Sequence, residues 1–356
     1  MFILCIDILQ EICKNLSDKD NILLASTCKK LYFIRFRIPF CTLINIERIQ
    51  HLSYAHSFIN ILVSNTTITL PMNINYLVFH DDFNEPINGF IPNTVVQIYF
   101  GNAFNQSIRG CIPDSVACLS FGNQFDQPID GLPNSVKELS FGERFNHSIH
   151  NCIPNSVTHL MFNGRFNLPI NNCIPNSVTH LALGWYYNKS IKGCIPNSVT
   201  HLSLGNCFSQ PIIDSIPPSV THLALGNHFN RSITDCIPKS VTHLEFGEYF
   251  DHPLTSGDIP NSVTHLVFGR AFDQPIGGCI PASVKYLQFG GDFNWSIKGC
   301  IPASVTYIYF GRKFKRSINC LPETVKWVSL HENYKMKIKE NVSLRVQIYR
   351  HTDDKS

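Results

Sequence analysis

Charge is scarce in this chain. Only 15% of its 356 residues are Asp, Glu, Lys or Arg, and the formal net charge is +3 with no basic run. That balance offers no electrostatic footprint for nucleic acid and no polybasic patch for a membrane. Long apolar runs are missing too: none approaches the ~20 residues a membrane-spanning helix needs. Met1 to Leu9 is apolar but contains Asp7 and lacks a basic leader and a small-residue cleavage site. No secretory signal is therefore expected, and the cytoplasm is the expected compartment. No glycine loop of phosphate-binding form occurs. Disorder is excluded by an apolar content of 44%.

What the chain has is one phrase, repeated. A full copy reads Phe145-Asn146-His147-Ser148-Ile149-His150-Asn151-Cys152-Ile153-Pro154-Asn155-Ser156-Val157-Thr158-His159-Leu160, and the next opens at Phe166. The anchor aromatic recurs from Phe83 to Phe314 in steps of 20 to 22 residues, nearly always 21. A period this short means a solenoid, because one unit cannot bury its own apolar face and neighbours must stack. Positions that stay constant maintain the stack, and positions that vary are free to recognise something. A binding surface is expected rather than an enzyme.

Each unit divides into three stretches. Val157-Thr158-His159-Leu160-Met161-Phe162 alternates as a strand, with Leu160 and Phe162 inward and His159 and Met161 outward. Asn163-Gly164, or Gly alone in most copies, turns the chain out of the strand. The return path carries Asn, Pro and Gly at spacings that forbid a helix. Ile-Pro fixes the corner before the next strand, from Pro92 to Pro322. The Asn or Asp after the anchor should hydrogen-bond loop backbone. Ser209 and Lys315 break that column and should loosen those turns. Eight of the 14 cysteines share one column (Cys111, Cys152, Cys173, Cys194, Cys236, Cys279, Cys300, Cys320) and read as small buried side chains, not a disulfide framework.

This is leucine-rich-repeat logic with Phe and Val replacing much of the Leu. Phe166-Asn167-Leu168-Pro169-Ile170, followed by Ile-Pro-x-Ser-Val, resembles the FNIP repeat, a family of large DNA viruses of amoebae and of slime moulds. The resemblance covers residues 71–330. It implies a stack of about 21-residue coils with a parallel β-sheet and a non-helical convex side.

Residues 1–40 do not follow the repeat. Ile8, Leu9, Ile12, Cys13 and Leu16 stand at helical spacing, and Ser17-Asp18-Lys19-Asp20 can start another helix. One reading is a small helical cap on the first coil. The other is a resemblance to the F-box, carried by Asp7-Ile8-Leu9-Gln10-Glu11-Ile12, Asn15 to Asp20 and Leu24 to Tyr32; the family's opening Leu-Pro reads Leu4-Cys5 here. That resemblance implies docking of Leu4, Ile8, Leu9, Ile12, Leu16, Leu23 and Leu24 on a Skp-type adaptor of a cullin ubiquitin ligase. Residues 41–70 read as degenerate coils or capping strands. After Leu330, two β-rich runs, 335–338 and 343–349, are expected to close the stack before a loose tail, making 331–356 the second cap.

Six histidines, His159, His180, His201, His222, His243 and His265, form an outward column that continues as Tyr286, Tyr307 and Trp327. Stacked rings half-covering the sheet explain it. A metal ladder would need convergent ligands and a supporting shell that the column does not supply, and no nucleophile stands out for catalysis. No metal or cofactor is expected. Recognition should instead use positions that differ between coils: Tyr99, Met161, Trp185, Tyr186, Glu245, Tyr249, Arg270, Gln288, Tyr307, Tyr309 and Trp327. Exposed Trp, Tyr and Arg dominate interface energies. The expected function is substrate recognition for an SCF-type ligase, the coils binding a target protein; the alternative is a structural or host-interacting repeat protein with a capped end.

Overall fold

The Val-Thr-His-Leu-x-Phe stretch is too short to be anything but a brief strand, and it needs adjacent coils to pair its backbone and complete the burial of its Leu and Phe. The computed structural model describes Cys13, residues 16–26 and residues 40–352. Among these residues, sixteen strands, β1 (Ile44–Asn45) to β16 (Gln347–His351), run in chain order. The described pairings are parallel and in register with the repeat: His180 faces His201, and Leu181 faces Leu202. The chain divides into two compact units. The first reaches His147 and also takes Asn151–Val157; the second takes Ser148–His150 and everything from Thr158 onward.

Within each unit two aromatic columns run through a core that also buries columns of Val, Leu and Ile. The phenylalanine ending a strand packs against the anchor four residues on, as Phe121 on Phe125 at 3.9 Å and Phe289 on Phe293 at 4.0 Å between ring centroids. Successive anchors follow at 6.1 Å for Phe104 and Phe125 and 6.2 Å for Phe272 and Phe293. Leu183, Leu204 and Leu225 replace the strand-end phenylalanine in three consecutive coils, and in the first of these the anchor is Tyr187. The Tyr187 side chain is fully buried, its hydroxyl has no hydrogen-bond partner among the described residues, and burial pushes the phenol pKa up. An unsatisfied buried hydroxyl is unfavourable. Tyr187→Phe should therefore stabilise the protein by about 1 kcal/mol, read as a higher urea midpoint at unchanged slope.

The corners explain the rest of the phrase. Val157 N–H donates to the Pro154 carbonyl at 3.1 Å, closing a turn over Asn155 and Ser156, and the Ser156 hydroxyl donates to the Val136 carbonyl one coil back at 2.7 Å. A second corner is left-handed: φ is +69° at Gly110, +56° at Asn151, +52° at Asp214 and +74° at Gly278. Gly, Asn and Asp are the residues that tolerate it. The glycine directly after most strands, by contrast, is not a left-handed turn residue as its position suggests; Gly164, one place later behind Asn163, is the exception at φ +56°. A Cβ on Gly226 would lie 1.9 Å from the Gly205 carbonyl oxygen, so that column exists because coils approach backbone to backbone.

The Asn/Asp column forms an inter-coil ladder. Asn105 Oδ1 accepts from Asp126 N–H at 2.9 Å, and Asp273 Oδ1 accepts from Asn294 N–H at 2.9 Å. These side chains are half-buried or exposed, since they stitch the surface of the loop side. Asn188 Oδ1 still accepts from Ser209 N–H at 3.0 Å, but no rung from Ser209 to Asn230 is present among the described residues. The cysteine column is mixed rather than uniformly buried. Cys111, Cys194 and Cys279 are buried thiols, Cys236 and Cys300 are half-buried, and Cys320 is exposed near the end of the stack. Burial pushes the Cys111 and Cys194 thiols up, away from thiolate reactivity.

At the amino end, helix α1 (Asp18–Ser26) starts behind Ser17, whose hydroxyl accepts from Asp20 N–H at 3.2 Å and donates to the Asp20 carboxylate at 2.6 Å. At the carboxyl end only the second of the two β-rich runs becomes a strand. Residues 335–338 lie on the return path, where each coil turns, and a short helix α2 (Glu340–Ser343) intervenes before β16. Tyr334 extends the anchor column, 6.0 Å from Phe314.

Candidate recognition face

Because side chains alternate along a strand, six coils of the second unit present two outward positions, the histidine and the residue two further on. The strands concerned are β7 (His159–Phe162), β8 (His180–Ala182), β9 (His201–Ser203), β10 (His222–Ala224), β11 (His243–Glu245) and β12 (His265–Val267). The six imidazoles stack face to face with centroids 4.1 Å apart and interplanar angles of 11–15°. Each ring is held by the threonine before it, as Thr200 Oγ1 lies 2.9 Å from His201 Nδ1 and bonds the Thr179 carbonyl at 3.2 Å. The ring orientation is thus built into Thr-His.

Burial, followed by the charge of neighbouring rings, lowers the pKa of His180, His201, His222, His243 and His265 below the usual histidine value. At neutral pH these rings are therefore uncharged. With lowered folded-state pKa values, the unfolded chain takes up protons first as pH falls. Stability should be fully present above about pH 6.5 and drop as pH falls through the lower folded-state values. Replacing His180, His201 and His222 with Gln should flatten that dependence; thermal melts at pH 7.5, 6 and 5 check it. A wild type equally stable at pH 7.5 and 5 would contradict the stacked ladder.

The second outward position supplies relief. It is large at Met161, small at Ala182, Ser203 and Ala224, and large again at Glu245 and Val267. Between the histidine edges and this small-residue floor runs a groove of about 540 Å³, ending at Tyr286. Glu245 is exposed, and no ion pair or hydrogen bond of its carboxylate occurs among the described residues. Past the turn, Trp185 and Tyr186 are exposed at 54% and 53%. Tyr249, also exposed, lies 4.9 Å from the ring of His228, and Arg270 reaches Glu248 at 3.9 Å.

The remaining sequence candidates are scattered. Tyr99 lies in the first unit, half-buried, with its ring 5.1 Å from Tyr76 and its hydroxyl 3.5 Å from Cys118 Sγ. Tyr307 is half-buried and stacked 4.7 Å from Tyr286. Trp327 is exposed and donates to Gln347 Oε1 at 3.1 Å. Two candidates leave the face altogether. Gln288 is only 7% exposed and accepts from the Tyr286 hydroxyl, and Tyr309 is 1% exposed under the His351 ring at 4.4 Å. At Tyr309 the closing strand covers what alternation alone would expose. Of the amino-terminal set, Leu16 and Leu23 are exposed at 36% and 56%. Leu4, Ile8, Leu9, Ile12 and the Leu24 side chain lie outside the described residues. The three small floor residues, which make the groove, were absent from the sequence candidates; their signal was a run of small outward side chains in consecutive coils.

Among the described residues no cluster of metal-ligating side chains occurs, and no helix is long and apolar enough to cross a membrane. Parallel coils, aromatic columns and a variable outward strand face define a leucine-rich-repeat-like solenoid, an architecture of binding scaffolds. The chain belongs to the FNIP repeat family, whose model matches residues 65–103, 104–144, 145–181, 170–207, 208–249, 250–292 and 293–333. It is similar to CroV588, described as a novel circular LRR protein structure, at 33% identity and a TM-score of 0.70 over 84% of this chain and 53% of that one. The chain thus spans about half the length of CroV588. YopM from Yersinia enterocolitica WA-314 shares the fold at a TM-score of 0.53 and 14% identity, over 83% of this chain and 67% of that one. No curated protein matches the chain. A repeat fold of this kind points to protein–protein interaction.

Proposed function

We propose that the chain is a substrate-recognition subunit of an SCF-type cullin ubiquitin ligase: its amino-terminal helices dock on a Skp-type adaptor and its coils hold a target protein. The observation that carries this reading is the exposure of Leu16 and Leu23 at α1, large apolar side chains left uncovered beside a segment with the F-box pattern. Isolated exposed leucines are ordinary, but these two belong to the set the pattern assigns to the adaptor. Such a subunit works in the cytoplasm.

One observation favours the rival reading, a helical cap on a structural or host-interacting repeat protein. Asn21, buried, donates to the Cys13 carbonyl at 3.0 Å, and Asp18 accepts from Thr42 N–H at 2.5 Å, tying α1 to the chain that enters β1.

Capture of the full chain by a purified Skp-type adaptor separates the two. Wild type should bind, and Leu23→Asp and Leu9→Asp should lose binding while melting unchanged, because a carboxylate buried in the interface is strongly unfavourable. No capture by wild type, or undiminished capture of Leu23→Asp, leaves the cap reading.

A further inference from the structure

The groove along the histidine ladder has a feature that the stack does not need. A floor of Ala182, Ser203 and Ala224 beside neutral rings is nearly apolar, yet it ends in one exposed carboxylate, Glu245. His243, two residues before Glu245 on the same strand face, is the nearest ladder member in sequence. A protonated ring there would supply the carboxylate with a cation, and a neutral ring does not. No other formally charged side chain lines the groove. Six strands about 4.8 Å apart span roughly 24 Å, the length of about seven extended residues.

We propose that this groove seats an extended segment of a protein partner, small or aliphatic side chains lying over Ala182, Ser203 and Ala224 and a lysine or arginine pairing with Glu245. The inference deepens the reading of the coils as target-binding and rests on that part of it, not on the adaptor contact. Both halves of the occupant follow from complementarity. The floor is too shallow in polar groups to reward a hydrophilic segment, and an unpaired carboxylate on an apolar surface selects a cation. A guanidinium fits best, since it pairs with carboxylate through two parallel hydrogen bonds.

The same arrangement makes binding sensitive to acid. His201, His222, His243 and His265 flank the Glu245 cation-binding site along the ladder, Tyr286 closes its end, and Lys285 is the cation acting on His265. On the rim, Glu248 lies 3.9 Å from Arg270, a cation of its own. Protonated rings would repel a bound lysine or arginine and turn Glu245 inward to themselves. The burial and mutual repulsion that lower their pKa values keep the groove receptive at neutral pH. Affinity should fall as pH drops through the lowered folded-state values of these rings, which lie below the usual histidine value of about 6.5.

The test is selection of a random heptapeptide display library on the full-length protein at pH 7.5. Wild type should enrich Lys or Arg at one position flanked by small or aliphatic residues. The best synthetic peptide should bind Glu245→Gln about tenfold more weakly or worse. It should be excluded by Ala224→Trp, which fills the floor, and should weaken at pH 5.5. Glu245→Lys should shift enrichment to Asp or Glu. Acidic enrichment on wild type, no enrichment, or basic peptides indifferent to Glu245→Gln each overturn the proposal. So does a wild-type dimer that Ala224→Trp dissociates, since a second copy would then fill the groove. Adaptor capture is scored separately on the same preparations, so a failed F-box reading leaves this result unaffected.

Discussion

Gly247→Ala should destabilise the second unit by about 3 kcal/mol, although it adds one methyl group to a residue with ordinary backbone angles. A Cβ on Gly247 would stand 2.0 Å from the Gly226 oxygen, 2.4 Å from its carbonyl carbon and 2.6 Å from Asn227 Cα. All three are backbone atoms of the preceding coil, so no side chain can swing away and the coils themselves must part. The control lies in the same column. Asn163 takes the glycine position in its coil, and a Cβ on Gly184 in the next coil would meet nothing nearer than 3.0 Å. Gly184→Ala should therefore cost under about 1 kcal/mol. Urea unfolding of both variants checks the pair, and equal effects would refute the close-approach explanation.

The second large effect is expected at Phe208. Its ring is fully buried, 6.4 Å from Phe229, in the stretch where Leu204 and Leu225 have replaced the strand-end phenylalanines. With less aromatic surface around it, the anchor carries more of the local core, and neighbours on both sides are fixed by strand pairing and cannot collapse inward. Phe208→Ala should cost about 3–5 kcal/mol. In a stack where each coil contacts only its neighbours, a weak coil also uncouples what lies on either side. Calorimetry should show the unit's melting transition lowered and broadened or split. A single unshifted transition would place the Phe column outside the core.

These two sites show what could be read from the sequence and what could not. Phe208 was legible, because an aromatic fixed every 21 residues between turn residues has no other use. The strand parity that puts Leu202 in and His201 out was legible for the same reason. Gly247 was legible as important but not for the right cause. A turn glycine and a close-approach glycine look alike until one notices that the left-handed corner exchanges Gly with Asn151, Asn172, Asp214 and Asp235, whereas the post-strand column keeps Gly almost throughout. Alternation failed at Tyr309 because His351, 42 residues later, folds over it and its ring nitrogen lies 3.2 Å from the tyrosine hydroxyl. No local pattern reports a contact of that range. The groove was missed from the opposite bias: large exposed residues draw attention in a sequence, while a docking floor is made by small ones.

If the outward strand face recognises a partner and the loop side serves the stack, the two sides should differ in what they touch. Site-specific photo-crosslinking in cells tests it directly, with benzoylphenylalanine placed either at Ser203, exposed on that face, or at Lys298, exposed on the loop side. A discrete protein adduct is expected from Ser203, abolished by Ala224→Trp, and none from Lys298. A discrete adduct from Lys298 with none from Ser203 would contradict it.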